Sequence, residues 1–276
     1  MRHRLPLLAA SIGLILGGTL AAAYPAAAAT NQSGGGMFQP GGLMTLSNGT
    51  RPAGGVSHVS HTTVTSSNWS GYAATGASGA FTSVSADWVQ PAGNCSGGSD
   101  TYAAFWVGLD GYSSSTVEQT GTEVDCVGRT AVYYAWTELY PGASKVINAT
   151  VKAGDQIDAS VTYTGNYQYD LYLHDVTQGW TYSTAPQLHG ALRSSAEVIA
   201  EAPCCTNRGG ILPLANFGTV GFTNSMVNGV SLGSTTPVEI KMADGSASAT
   251  PSGLTNNGEN FTVTYSGSGR QIPWPF

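Results

Sequence analysis

From Val64 onward the chain alternates apolar and polar residues on a period of two, in short runs separated by Gly, Asn, Asp and Ser. Runs such as FTSVSADWVQP, TYAAFWVGLDG, RTAVYYAWTELYP, PVEIKMADG and NFTVTYSGSG predict roughly a dozen strands, and strands at such short intervals predict an all-β sandwich or barrel. LYLHDVTQGWTYS predicts a hairpin turning at Gln178-Gly179, and KAGDQIDASVTYTG predicts two strand-like arms about a Gly-Asp turn. Only RSSAEVIAEAP, Arg193 to Pro203, also fits helical spacing, through Ala196, Ile199 and Ala200. Read as a strand, it puts Glu197, Ile199 and Glu201 on one face and Ala196, Val198 and Ala200 on the other. Two glutamates around one isoleucine are unusual for a pure core face.

The stretch from Trp106 to Pro141 places polar groups where a core strand would be apolar. Alternation sends Thr116, Glu118 and Thr120 to one side and Val117, Gln119 and Gly121 to the other, so Glu118 and Gln119 do not enter the same cleft. In the next run Tyr134, Trp136 and Glu138 share a face, which makes an aromatic surface ending in a carboxylate. That combination predicts a substrate groove.

The N-terminus changes the compartment. Met1 to Ala29 has a basic start, an apolar run from Leu5 to Leu20 broken by glycines, and a small-residue end, the pattern of a secretory signal peptide over 1–29. Residues 30–65, rich in Gly, Ser, Asn and Pro, read as a flexible leader or propeptide, and 66–276 as a single β-sandwich domain. No second long apolar run follows, so no membrane association is expected after signal cleavage, and the protein is expected to be secreted, extracellular and monomeric. Only 9% of residues are charged, 10 Lys and Arg against 16 Asp and Glu, which argues against nucleic acid as a partner because phosphate neutralisation needs clustered basic residues. Few charges also suit work at low pH.

Four cysteines, Cys95, Cys126, Cys204 and Cys205, read as disulfides in an oxidising compartment. Cys95 with Cys126 is the favoured pair, since both follow turn signals beside strands of the central region; Cys204 and Cys205 then form a vicinal bridge or stay reduced. No Cys-X-X-Cys pair with a nearby His is present, so no metal is expected. His58 and His61 lie in the leader without a helical pattern and read as part of a tail.

Serine catalysis lacks a Gly-X-Ser-X-Gly elbow, and His174 and His189 sit in hairpin or loop contexts that suit surface roles. A cysteine nucleophile would be oxidised on export. Carboxylates and amides remain. A glycosidase needs two carboxyls, for which Glu138 with Glu197 would serve; a peptidase can use one carboxyl as base toward water and an amide to hold the oxyanion, for which Gln119 with Glu197 would serve. Spacing alone leaves both open.

WVGLDG, the QTG at Gln119 to Gly121, YYAWTELYP, AEVIAE and PLANFGTVGFTN, in this order, resemble the secreted glutamic peptidases, the eqolisin family, from about Asn68 to Tyr265. The resemblance implies a β-sandwich of two large antiparallel sheets with lectin-like (concanavalin-like) architecture. It implies an acid endopeptidase acting on protein or peptide substrates without cofactor or metal. By motif, it implies that Glu197 activates water and later protonates the leaving amine while Gln119 stabilises the tetrahedral oxyanion, with Trp106, Asp110 and Glu138 as substrate-binding or supporting residues. From the residues alone, Trp106 reads equally as core, Asp110 as a turn residue and Glu138 as a rim charge. The chain departs from the family pattern at Val198, where Trp is common, at Tyr112, where an acidic residue is common, and at Leu139 in ELYP. Either Glu123 or Asp125 takes the family's acidic position after QTG. The alternatives are a glycoside hydrolase using Glu138 and Glu197 and a non-catalytic carbohydrate- or peptide-binding sandwich.

Overall fold

The computed structural model describes Leu43, Met44 and residues 62–204, 210–243 and 247–267. Along them run β1 (Thr63–Ser66), β2 (Trp69–Thr75), β3 (Ser83–Val89), β4 (Thr101–Leu109), β5 (Val117–Val127), β6 (Thr130–Tyr140), β7 (Lys145–Ile147) and β8 (Gln156–Gly165). There follow β9 (Gln168–Asp175), β10 (Trp180–Thr184), β11 (Ser195–Glu201), β12 (Thr219–Val227), β13 (Val230–Ser231), β14 (Val238–Ala243), β15 (Ala247–Pro251) and β16 (Phe261–Gly267). The only helical pieces among the described residues are two short 3-10 turns, so the all-β expectation holds.

The ambiguous AEVIAE stretch is strand β11, and the β9–β10 hairpin turns through Gln178 and Gly179 as expected. The segment from Lys152 to Gly165 differs: it carries one strand, β8, because Lys152 to Asp155 closes a tight turn in which the Lys152 N–H donates to Asp155 Oδ2 at 2.7 Å. A short side-chain-capped turn leaves no room for a second arm.

Hydrogen bonding is continuous along β10-β9-β8-β3-β12-β16-β15-β14-β2-β11-β4-β5-β6-β7, with β1 beside β14 and β13 beside β12. Every pairing is antiparallel except β1 with β14. The two ends of this path come together over one apolar core. Trp88 on β3, Ile157 and Val161 on β8, and Leu171 and Leu173 on β9 share it with Phe105, Val107 and Leu109 on β4 and Val198 on β11. The Trp88 indole N–H donates to Thr122 Oγ1 at 2.9 Å, which satisfies a buried donor across the core.

The alternate residues of β4 and β11 turn to the other face and are also buried. There Trp69, Ala73, Ala104, Trp106, Val117, Trp136, Ile199 and Ile240 form a second apolar cluster, with Met44 and Tyr112 packed in it. This explains why strands with polar alternate residues have no exposed face. Burial at roughly 1.5–3 kcal/mol per large apolar side chain is the dominant stabilising term, and it is large enough to offset several buried carboxyls.

Candidate active site

The register of the central strands sets the site. Across β2, β11, β4, β5 and β6 it aligns Ala73, Glu197, Gly108, Gln119 and Glu138 in one row. Two residues along lie Gly71, Ile199, Trp106, Gly121 and Trp136, and two further lie Trp69, Glu201, Ala104, Glu123 and Tyr134. With a period of two, all three rows occupy the same face, so a largely apolar row separates two rows rich in carboxyls.

Glu197 and Gln119 are separated by a single strand, whose residue in that row is Gly108. Two strand spacings are about 10 Å between backbones, and Gly108 puts no side chain between the two residues. A Cβ there would fall 2.8 Å from Trp106 Cζ3 and 3.2 Å from Gln119 Cβ. Gln119 Nε2 donates to Glu138 Oε2 at 2.8 Å, which fixes the orientation of the carboxamide. Glu138 is 2% exposed, so it is an internal acceptor and not the rim charge its sequence position allows.

Glu197 is fully buried, and no hydrogen bond of ordinary geometry reaches either carboxylate oxygen among the described residues. Burial pushes its pKa well above the ordinary range; the nearby Ser195 hydroxyl acts the other way, and the charges of Asp110 and Glu118 add to the rise. Ser195 was missed by sequence reasoning, although it lies two residues before Glu197 and therefore on the same face.

Asp110 is more than a turn residue. It ends β4 in the left-handed conformation, φ 68°, which aspartate tolerates. Its Oδ2 accepts the N–H groups of Leu192 (2.7 Å) and Arg193 (2.6 Å), and its Oδ1 accepts the N–H (2.8 Å) and hydroxyl (3.1 Å) of Ser194. Its own N–H donates to the Ser195 carbonyl at 3.0 Å. The carboxylate thus anchors the backbone that enters β11 and delivers Glu197.

Trp106 is both core and floor. Its indole N–H donates to Glu201 Oε2 at 2.8 Å, and its ring meets Trp69 edge-on with centroids 4.9 Å apart. Glu201, in the far polar row, is therefore the partner that orients Trp106. Glu123 and Asp125 both follow Gln119 on the same face; burial raises each, Glu123 well above its ordinary value and Asp125 to about 6, and Tyr134 donates to Asp125 Oδ2 at 3.1 Å. On the opposite face Glu118 is fully buried and pushed up to about 9, by burial first and then by the charge of Asp110.

The remaining sequence candidates fall away from this face. His174 faces Asp158 at 3.5 Å, and the His189 ring lies 4.2 Å from that of Tyr167. Cys95 and Cys126 are joined, with Cα atoms 5.2 Å apart. Cys204 is disulfide-bonded, while Cys205, His58 and His61 lie outside the described residues. Among the described residues no group of three or more His, Cys, Asp or Glu is placed to hold a metal ion, and no helix is long and apolar enough to cross a membrane.

Known proteins share this arrangement of strands. The chain is 34% identical to scytalidopepsin B from Scytalidium lignicola over 171 residues, a match covering 58% of the chain and 63% of the relative, less than two thirds of its length. A crystal structure of scytalido-glutamic peptidase with a transition-state analogue inhibitor superposes with a TM-score of 0.59 at 27% identity, covering 72% of this chain and 98% of that one. The structure of SCP-B, described as a member of the eqolisin family of peptidases in complex with the tripeptide Ala-Ile-His, superposes with a TM-score of 0.55 at 28% identity, covering 73% and 98%. The sequence model of the Peptidase A4 family matches residues 67–265, the span that contains every strand of the site, and the chain accordingly belongs to that family.

Proposed function

We propose that this protein is a secreted acid endopeptidase of the glutamic type, in which Glu197 and Gln119 form the reacting dyad within a lectin-like β-sandwich. The observation that carries the reading is the row Glu197, Gly108, Gln119: a buried carboxyl and an oriented carboxamide facing each other across a residue without a side chain. A scissile peptide bond laid over Gly108 lies between the two groups. Glu197 is the group that takes a proton from the attacking water. As that water attacks the carbonyl carbon, charge develops on the carbonyl oxygen. The Gln119 carboxamide, oriented by its bond to Glu138, supplies the N–H donor that stabilises the oxyanion. The C–N bond then breaks as Glu197 returns its proton to the leaving amine. Asp110, through the backbone of 192–194, keeps Glu197 in place.

A glycosidase built on Glu138 and Glu197 fits the register less well. Those residues are three strand spacings apart, about 14 Å between backbones, and Glu138 already accepts the Gln119 amide. Residues 1–29 act as the export signal and 30–65 as a leader. In support of the latter, Met44 lies fully buried in the cluster on the catalytic face.

The test is digestion of denatured protein from about pH 2 to about pH 8, with and without pepstatin, beside a Glu197→Gln variant. Acid-limited cleavage that ignores pepstatin and is lost in the variant is expected. No proteolysis at any pH by folded protein from which the leader has been removed overturns the proposal.

A further inference from the structure

Met44 comes from a Gly- and Pro-rich stretch, yet its side chain is fully buried against the face that carries Glu197 and Gln119. Its N–H donates to the Gly111 carbonyl at 3.3 Å, and the carbonyl of Leu43 accepts from Asn68 Nδ2 at 3.1 Å. Two backbone bonds to two different loops, with a side chain sunk between them, is how an extended peptide is held in a cleft. The surrounding cluster is dominated by aromatic rings, Trp69, Trp106, Trp136 and Tyr112. A thioether packs well against such rings, and an unbranched side chain reaches between them.

Tyr112 ties this pocket to the reacting groups. It follows Gly111, whose carbonyl holds Met44 and whose N–H is fixed by Ser114 Oγ at 2.8 Å. It is 8% exposed, and its phenol is raised by burial and then by the charge of Glu197.

We propose that the pocket enclosing Met44 is a side-chain subsite of the peptide groove, that Tyr112 and Trp69 make it apolar, and that it selects substrates presenting methionine or a side chain of like length and shape. This rests on the peptidase reading above, and the two are tested separately. First, cleavage sites in a peptide library are mapped for the full chain carrying Met44→Ala, alone and with Tyr112→Asp or Tyr112→Phe. Methionine, or its sulfur-free analogue norleucine, is expected at one fixed position relative to the scissile bond. Tyr112→Asp is expected to lower kcat/KM for a methionine peptide relative to its alanine counterpart by at least about tenfold, and Tyr112→Phe to keep the preference.

Second, binding is read from tryptophan fluorescence in a chain carrying Glu197→Gln to stop turnover and Met44→Ala to vacate the pocket. Peptides containing methionine, norleucine, alanine or methionine sulfoxide are titrated. The first two are expected to bind at least about tenfold more tightly than the last two, since the sulfoxide is polar. Cleavage without positional preference overturns the subsite and leaves the peptidase standing. Methionine-selective binding without any cleavage by the chain carrying Met44→Ala alone overturns the peptidase and keeps the subsite. Binding indifferent to the side chain overturns the subsite whatever the cleavage result.

Discussion

The carboxylate of Asp110 accepts both the N–H and the hydroxyl of Ser194, and Ser194 is the residue before the strand that carries Glu197. Replacing one acceptor oxygen by an amide N–H sets donor against donor. Asp110→Asn is expected to cost about 2–4 kcal/mol, read from the shift in urea midpoint, and to lower kcat more than it raises KM, because β11 loses its anchor.

Gly108→Ala tests the space between Glu197 and Gln119. The added methyl meets Trp106 and Gln119 at the distances given above, so the cost in stability is expected to be about 1–3 kcal/mol. Activity is expected to fall by about 100-fold or more, because the added methyl displaces the Gln119 carboxamide from the place the proposal requires. A variant that folds and cleaves as the parent does would show that the substrate does not lie over this position.

The buried carboxyls set the response to pH. Glu118, Glu123 and Glu197 all have pKa values raised in the folded protein, so the native state binds more protons than the unfolded chain above the ordinary value of 4.5. Their contribution is at its most favourable below about pH 4.5 and is lost as pH rises, for Glu118 up to about 9. Thermal midpoints are therefore expected to be highest in acid and to decline toward neutral and basic pH. Glu118→Gln, on the face opposite Glu197 and Gln119, is expected to flatten that decline between about pH 4.5 and about 9 without removing the proposed acid cleavage. An unchanged slope would mean that Glu118 is not among the groups responsible.

Cys95 and Cys126 close a span of 31 residues that contains all of β4. In the chain-entropy account their bond is worth about 3–4 kcal/mol, and Cys126→Ser is expected to lower the urea midpoint accordingly.

The strands, the paired faces of β5 and β11 and the favoured Cys95–Cys126 bridge were legible in the sequence, because period-two alternation is a local signal. The role of Asp110 was not: its partners lie 82 to 84 residues away, and nothing near Asp110 announces them. Glu138 read as a rim charge because alternation gives the face of a residue and not what covers that face. The cover includes Met44, whose own stretch has no periodicity, so its burial among Trp69, Trp106 and Ile199 was beyond any windowed reading.

Gly121 gives the row of Glu197, Gly108 and Gln119 its alignment. At its crossing with Phe105 and Trp106 the backbones approach so closely that a Cβ would overlap the Phe105 carbonyl oxygen and fall 2.6 Å from Trp106 Cβ. If β5 slid by two residues along β4, either Gln119 or Glu123 would arrive at that crossing, and neither fits. The slip that sterics forbid also removes the amide from its row, since a two-residue displacement would set Gly121 or Val117 opposite Gly108 in place of Gln119. The glycine thus acts as a notch that only one alignment can enter, and it keeps one carboxyl and one amide on either side of Gly108.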